Sequence, residues 1–448
     1  MIVMKFGGSS VANRAQIEKV LSIVRGRAER RPLVVSSAHK GMTDALLNAA
    51  RDARAGKLDE NAVVERQARI ARELGCADSL LAPLFDELRS LLRGIYLVRE
   101  LSPRSLDYVA SFGERFSVRV IADFFTRSGF AADAYDVWDL GFVTNNTFGS
   151  ARPLADFRER ALAAMAKLPA GRVPIVTGFV GKTLDGDITT VGRNGSDLTA
   201  TLLGAAIGAE EVEIWSDTDG VMTADPSVVP SARNIPTMRF EEAAELAFFG
   251  SRVLHPATLL PAMEGNIPVR VLNTNRPEHR GTVISSRVAT DAERVTSIAY
   301  KENQLVLNIS AARMFGEAGF LGRVFEVCTR HGVVVDLVTT SEVTVSITAD
   351  KREPLERAAQ EISAMLDHAG EVRVLQNRSI LAVVGHQLAE RPGLGAEILS
   401  AIARVGVNIE MISYAFGAIN LSLVVADQDV SRAVSVLHEV LFGKVVPS

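Results

Sequence analysis

Cysteine is nearly absent from this chain: 448 residues contain two, Cys76 and Cys328. Thiols so far apart in sequence form neither a disulfide framework nor a zinc-ligand spacing, and they suit a reducing compartment as buried fillers. Aromatic residues make up only 6%. No apolar run reaches the roughly 20 residues that cross a bilayer. A basic excess is missing too: 49 Lys and Arg stand against 53 Asp and Glu, for a formal charge of −4. That balance leaves no electrostatic footprint for nucleic acid. The N-terminus shows no basic leader ahead of an apolar core, so a cytoplasmic location is expected. Two nucleotide signatures are also lacking. No Gly-x-Gly-x-x-Gly follows a strand, which argues against a dinucleotide dehydrogenase. Gly181-Lys182-Thr183 looks like the tail of a P-loop, but Val176 stands where that motif needs its first glycine. A turn, not a helix, follows it.

Hydrophobic content of 47% and charged content of 23% give each of two to four domains enough material for a core. The opening residues carry the most information. The apolar run Met1–Met4 delivers Lys5 to the end of a predicted buried strand, and Gly7, Gly8, Ser9 and Ser10 follow at once. Glycines let the backbone approach a ligand closely, and free N–H groups with a helix dipole favour anions. Lysine adds a point charge. An ordinary strand-to-helix turn is the competing reading of these residues alone.

Strand and helix patterns alternate over residues 1–288. Ile17, Val20, Leu21, Val24 and Ala28 recur at helical spacing. Apolar runs at 32–38, 131–137, 173–180, 212–216 and 269–272 read as strands. Near-continuous apolar strands separated by helices indicate a mostly parallel sheet covered on both faces, with ligands beyond the strands' carboxyl ends. The last third contains an internal repeat. Gly319 pairs with Gly393, Gly332 with Gly406 and Val335 with Ile409, each copy reading as glycine, short helix, glycine, strand. Two copies of one small domain are expected.

Four polar clusters follow predicted strands in the first part: Lys5–Ser10, Ser37-Ala-His-Lys-Gly-Met-Thr43, Thr190–Asp197 and Trp215–Pro226. In the third, Ser196 or Asp197 is expected to cap the following helix while Arg193 points into the crevice. Together with Phe112-Gly-Glu114, Ala224-Asp-Pro226 and Phe249-Gly-Ser-Arg-Val-Leu-His-Pro256, these clusters resemble the aspartokinases of the amino-acid-kinase superfamily. The terminal repeats resemble that family's ACT domains. The order and spacing agree over essentially the whole chain.

The resemblance implies an α/β amino-acid-kinase domain over 1–288. Two ferredoxin-like α+β ACT regions follow, at 300–378 and 379–448, one threaded through the other. It implies transfer of the γ-phosphoryl group of ATP to the side-chain carboxylate of L-aspartate, with Mg²⁺ carried by ATP and no metal held by the protein. Lys5, with Gly7, Gly8 and Ser9, would meet the phosphates, and Asp197 would orient Lys5. Arg193 would clamp the α-carboxylate of aspartate and Glu114 its ammonium, with Ser37, Thr43 and Ser196 lining the pocket. Ser216, Asp217, Met222, Ser227, Arg252 and Val253 would face the nucleotide. Four positions depart from the family: Asn194 replaces a common glycine, Met222 an aromatic residue, Ser227 an arginine and Arg252 a lysine.

The same resemblance points to L-lysine as inhibitor. Its residues would be Met314, Gly319, Phe320, Leu321, Val335, Asp336, Thr340, Ser341 and Glu342, with the two acids facing the effector's ammonium groups. The second repeat is read as lacking those acids and as structural. A homodimer through the ACT regions, possibly a tetramer, is implied. Two rivals are a kinase of another small acid and a catalytically weak amino-acid-sensing subunit. Arg193 with Glu114 argues against the first, and Lys5 with Asp197 against the second.

Overall fold

The structure is a computed structural model that describes residues 1–250, 254–288, 295–314, 317–367, 370–386, 388–415 and 417–443. The chain divides into two compact units. The first holds residues 1–221, 236–240 and 253–288, and the second 222–235, 241–252 and 289–448.

The first unit begins with β1 (Ile2–Phe6), α1 (Arg14–Arg25), β2 (Pro32–Ser36) and α2 (Met42–Arg54). A helical stretch follows as α3 (Glu60–Glu73), α4 (Ala82–Val98) and α5 (Pro103–Arg127). Then come β3 (Ala132–Tyr135), α6 (Phe157–Met165), β4 (Val173–Thr177), β5 (Val180–Lys182), β6 (Ile188–Thr190), α7 (Gly195–Ile207) and β7 (Val212–Ser216). The last elements are β8 (Thr237–Arg239), α8 (Phe240–Phe248, mostly in the second unit), α9 (Pro256–Glu264), β9 (Val269–Asn273) and β10 (Thr282–Ser285).

Eight strands form one sheet in the order β3-β4-β2-β1-β7-β9-β10-β8. Every neighbouring pair is parallel except β9–β10. The apolar sequence of β1 explains its place: all five residues are buried, and the strand lies between β2 and β7. Strand order runs one way from β1 through β2 and the other way through β7. The crevice at their carboxyl ends is therefore a topological switch point. Lys182 and its neighbours form the β5–β6 hairpin, so the P-loop-like tripeptide is a sheet turn. Both cysteines are free and buried.

The second unit contains β11 (Ser297–Ala311), α10 (Phe320–Arg330), β12 (Val338–Thr340), β13 (Thr344–Ala349) and α11 (Arg352–Met365). It continues with β14 (Gly370–Val384), α12 (Leu394–Arg404), β15 (Met411–Ser413), β16 (Asn420–Ala426) and α13 (Val430–Phe442). Its six strands are antiparallel, in the order β12-β13-β11-β14-β16-β15. β11 and β14 pair along almost their whole length, and each serves two apolar cores. One core gathers Leu305, Leu307, Phe320, Val324, Ile347 and Ile362. The other gathers Ile298, Leu381, Leu394, Ile398, Leu423 and Leu437. The repeat is visible in the backbone: Gly319 and Gly393 precede α10 and α12 at φ 82° and 84°, and Gly332 and Gly406 follow at 69° and 66°. No helix among the described residues is long and apolar enough to cross a membrane.

Candidate active site

A cavity of about 580 Å³ opens beyond the carboxyl ends of β1, β2, β6 and β7. The segments after those strands line it. Lys5, Gly7, Gly8 and Ser9 come from the first, and Ser37 to Thr43 from the second. Arg193, Asn194, Ser196 and Asp197 come from the segment after β6, and Asp217 from the end of β7. Glu114 reaches the cavity from the middle of α5.

Lys5 is 9% exposed, and its Nζ lies 2.6 Å from the Asp197 carboxylate, which is equally buried. The contact is an ion pair across the floor of the cavity. Paired this way, the ammonium is held at one point with donors left for a further anion. Gly8 must be a glycine: a Cβ there would stand 2.9 Å from the Ala38 carbonyl oxygen. The turn that carries Gly8 is held by Gly7 N–H donating to Trp215 O at 3.2 Å and Ser10 N–H to Gly7 O at 2.9 Å.

The structure alters the helix argument. α1 starts only at Arg14, with Asn13 as its cap, and neither residue lines the cavity. The helix N-termini that do so are those of α2 and α7, entered through Gly41 at φ 73° and Asn194 at φ 53°. No side chain caps either helix; Met42 N–H of α2 donates to His39 O at 2.9 Å, and both helix dipoles still favour an anion at these ends. The expected cap at Ser196 or Asp197 is therefore corrected to Asn194, whose residue type tolerates the left-handed backbone. Asp197 is committed to Lys5 instead. The segment leading to Asn194 is anchored by buried Asp107, which accepts from Thr190 N–H (2.8 Å), Thr190 Oγ1 (2.9 Å) and Gly149 N–H (2.8 Å).

Glu114 is 3% exposed. Its Oε1 accepts from Ala38 N–H at 3.1 Å, and its Oε2 has no hydrogen-bond partner among the described residues. Burial pushes its pKa up to about 8, against the opposing Ala38 hydrogen bond. A buried carboxyl with one oxygen left over in a cavity is suited to receive a cation. Arg193 is exposed and pairs with no carboxylate among the described residues. A guanidinium and a carboxyl on the same cavity can take the two ends of an amino acid.

Sequence reasoning missed His39 and Lys40, although it singled out the segment that contains them. Both line the cavity. His39 is 1% exposed, its Nδ1 is 2.6 Å from Val11 O, and burial pushes its pKa down to about 4. The neutral ring donates from Nδ1 and so ties the β2–α2 turn to the end of the Gly7–Ser10 turn. A buried histidine between two glycine turns was the available signal.

The remaining expected nucleotide residues are not on this cavity. Ser216 O accepts from Thr274 N–H, and its hydroxyl pairs with Thr218. Met222 and Ser227 fall in the second unit, where Met222 O accepts from Ser297 Oγ at 2.8 Å and Ser227 Oγ donates to Asp225 at 2.6 Å. Arg252 and Val253 lie outside the described residues.

Among the expected effector residues, Gly319 and Asp336 flank α10 and its following turn, and Met314 packs on the neighbouring core. Phe320 is a core residue at 4% exposure, and Val335 is half-buried. Leu321, Thr340, Ser341 and Glu342 are exposed. Asp336 is not free: its Oδ2 lies 2.8 Å from Lys301 Nζ. The reading of the second repeat as lacking both acids is corrected at one of the two places, since Phe416 stands at the place of Glu342. Glu410 stands at the place of Asp336, next to Ile409 as Asp336 is next to Val335, and pairs with Arg378 at 2.6 Å.

Comparison with known proteins agrees with this architecture. The amino acid kinase family model matches residues 1–273, and an ACT domain model matches residues 381–441. The fold and site thus define a class: an amino acid kinase joined to ACT-type repeats. Aspartokinase 2, chloroplastic, of Arabidopsis thaliana is 37% identical over 98% of this chain and 84% of its own length. Lysine-sensitive aspartokinase 3 of Escherichia coli is 34% identical over 99% of both chains. The crystal structure of E. coli aspartokinase III in complex with aspartate and ADP superposes with a TM-score of 0.81 at 33% identity, covering 99% of this chain and 100% of that one. The chain belongs to the aspartokinases of the amino acid kinase family.

Proposed function

We propose that the cavity transfers the γ-phosphoryl group of ATP to the side-chain carboxylate of L-aspartate, giving 4-phospho-L-aspartate and ADP. This would be the first committed step toward lysine, threonine and methionine in a cytoplasmic enzyme. The observation that carries the reading is the meeting, in one cavity, of the Lys5–Asp197 pair, a glycine turn and the Glu114 carboxyl, whose Oε2 has no partner among the described residues. Phosphoryl transfer is mainly positioning and charge stabilisation. Lys5 and the N–H groups of Gly7, Gly8 and Ser9 meet the phosphates and the charge that develops between donor and acceptor. Asp197 fixes the Lys5 ammonium. Arg193 takes the α-carboxylate as a bidentate fork, Glu114 takes the ammonium, and Ser37, Thr43 and Ser196 shape the pocket between them. Asp217 and Ser216, at the end of β7, border the nucleotide. Mg²⁺ enters with ATP and neutralises its phosphate oxygens when bound. The Asp217 carboxylate lines the cavity, makes no ion pair among the described residues, and is compatible with such an ion.

The lysine-sensitive E. coli relative supports L-lysine as feedback inhibitor. Its proposed place is the first repeat, around Met314, Gly319–Leu321 and Val335–Glu342, in a proposed homodimer through the ACT regions. The test of the catalytic reading is coupled ADP release with L-aspartate, together with trapping of the acyl phosphate by hydroxylamine. Hydroxamate formed in step with ADP is the expected result. ADP release equal with and without aspartate would overturn it.

A further inference from the structure

Asp336 sits in the turn between α10 and β12, its N–H donating to Thr348 O at 3.0 Å. Its side chain is 3% exposed, and Lys301 Nζ lies 2.8 Å from its Oδ2. Lys301 projects from β11 beside the register shift at Lys301/Gln304. The same ammonium has two further neighbours: the Asp350 carboxylate at 3.9 Å and the face of Phe248, on α8, 5.3 Å from the ring centroid. All four residues belong to the second unit. One cation therefore joins the buried acid of the first repeat to α8.

The second repeat supplies an internal comparison. Glu410 holds the equivalent turn through N–H donation to Val424 O at 2.8 Å, and its carboxylate is held by the guanidinium of Arg378. A partly buried carboxylate needs a cation in either place. The repeats differ in which cation they use. A guanidinium is a planar fork, whereas an ammonium is a compact point charge on a flexible stem. In the first repeat the acid is thus neutralised by the group that a free lysine side chain would bring.

We infer that Lys301 is the internal occupant of the effector's ammonium subsite: L-lysine binds by displacing the Lys301 ammonium from Asp336, and the displacement withdraws that ammonium from Phe248 of α8. This rests on the reading of Asp336 as a lysine-binding residue. Exchanging one alkylammonium for another leaves Asp336 paired before and after, so no bare buried charge is created at either end. A tethered ammonium competes at an effective concentration of about millimolar or more, so it sets the effector concentration at which the enzyme responds. It also gives Phe248 a contact that differs between the two states, which a ligand must have in order to shift an equilibrium.

The experiment is calorimetric titration of the full-length enzyme with L-lysine, with norleucine as the isostere lacking the ammonium. Two variants move affinity in opposite directions. Lys301→Met removes the competitor and is expected to lower the Kd for lysine roughly tenfold or more. Lys301→Arg holds Asp336 with a fork, as Arg378 holds Glu410, and is expected to raise it several-fold. Norleucine should bind none of the three proteins. Wild-type binding with an unchanged or higher Kd in Lys301→Met sinks the exchange while leaving lysine as effector. Were Lys301→Met not to fold, an unchanged Kd in Lys301→Arg would have the same force. Absence of lysine binding to both wild type and Lys301→Met removes the effector reading and the exchange together.

Discussion

Glu114 makes the pH dependence of aspartate binding a direct probe of the site. Its carboxyl is buried in α5, one oxygen held by Ala38 N–H and the other without a partner among the described residues, and burial pushes its pKa up to about 8 from the ordinary 4.5. At pH 7 it is mostly protonated in the ligand-free enzyme. An ammonium needs the carboxylate, so binding must expel the proton. The cost at pH 7 is about one pH unit of free energy, or ~1.4 kcal/mol. Aspartate affinity should therefore rise close to tenfold per unit between about pH 6 and 8 and level off above. Close to one proton should leave per aspartate bound at pH 7, measurable by calorimetry in buffers of different ionisation enthalpy. Stability supplies a second sign. The folded-state pKa is raised, so between 4.5 and about 8 the folded protein binds more protons than the unfolded one. Glu114 accordingly makes the ligand-free enzyme less stable as pH rises through that window. Glu114→Gln should abolish this slope and the proton release, and should weaken aspartate binding strongly. A proton count near zero, with affinity flat from pH 6 to 8, would refute the assignment of Glu114 to the ammonium.

Substitutions at three other residues test the remaining parts. Lys5→Ala should lower kcat on the order of a hundredfold or more, with the KM for aspartate little changed, because the lysine meets charge that develops in transfer; steady-state kinetics retaining near-wild-type turnover would remove Lys5 from the mechanism. Arg193→Lys should raise the KM for aspartate about tenfold or more and leave that for ATP alone, since a fork becomes a point charge; the reverse pattern would assign Arg193 to the nucleotide. His39→Leu breaks the tie to Val11 O and should raise the KM for ATP several-fold, whereas His39→Asn, which keeps a donor near Nδ1, should restore it; equal values in both variants would reduce His39 to a packing residue.

Much of the fold is legible because burial dictates composition. β1, β2, β4, β7 and β9 are near-continuous apolar runs, interrupted by Lys5, Glu213 and Arg270, and the sheet buries most of their residues. Short elements are less legible. β8 and β10 are three and four residues long and carry no period, and their pairing is set by partners far along the chain. The P-loop test succeeded for a physical reason: without a glycine at Val176, β4 runs on as a strand and the tripeptide folds into the next hairpin. Helix entry was misjudged at Ser196 and Asp197. Residue types that favour caps elsewhere are here used for the cavity, and Asn194 enters the helix through its backbone angle rather than its side chain.

The residues that pair by type were the easier ones to find. Lys5 and Asp197 lie 192 positions apart in number, yet each stands beside a glycine turn at a strand end, and the fold brings them to 2.6 Å. His39 and Lys301 were harder because their partners are not visible in local pattern: one meets a backbone carbonyl and the other an acid from the neighbouring turn. The repeat explains why the second case matters. Gly319 and Gly393, Gly332 and Gly406, and Asp336 and Glu410 keep the same places, but the cations do not: at the same offset Lys301 corresponds to Leu375 and Arg378 to Gln304. What differs is the cation on the conserved acid position, lysine in one copy and arginine in the other. Each copy therefore neutralises its acid with a cation from a different strand position, and the ammonium of the first copy is the one that an alkylammonium ligand can replace in kind.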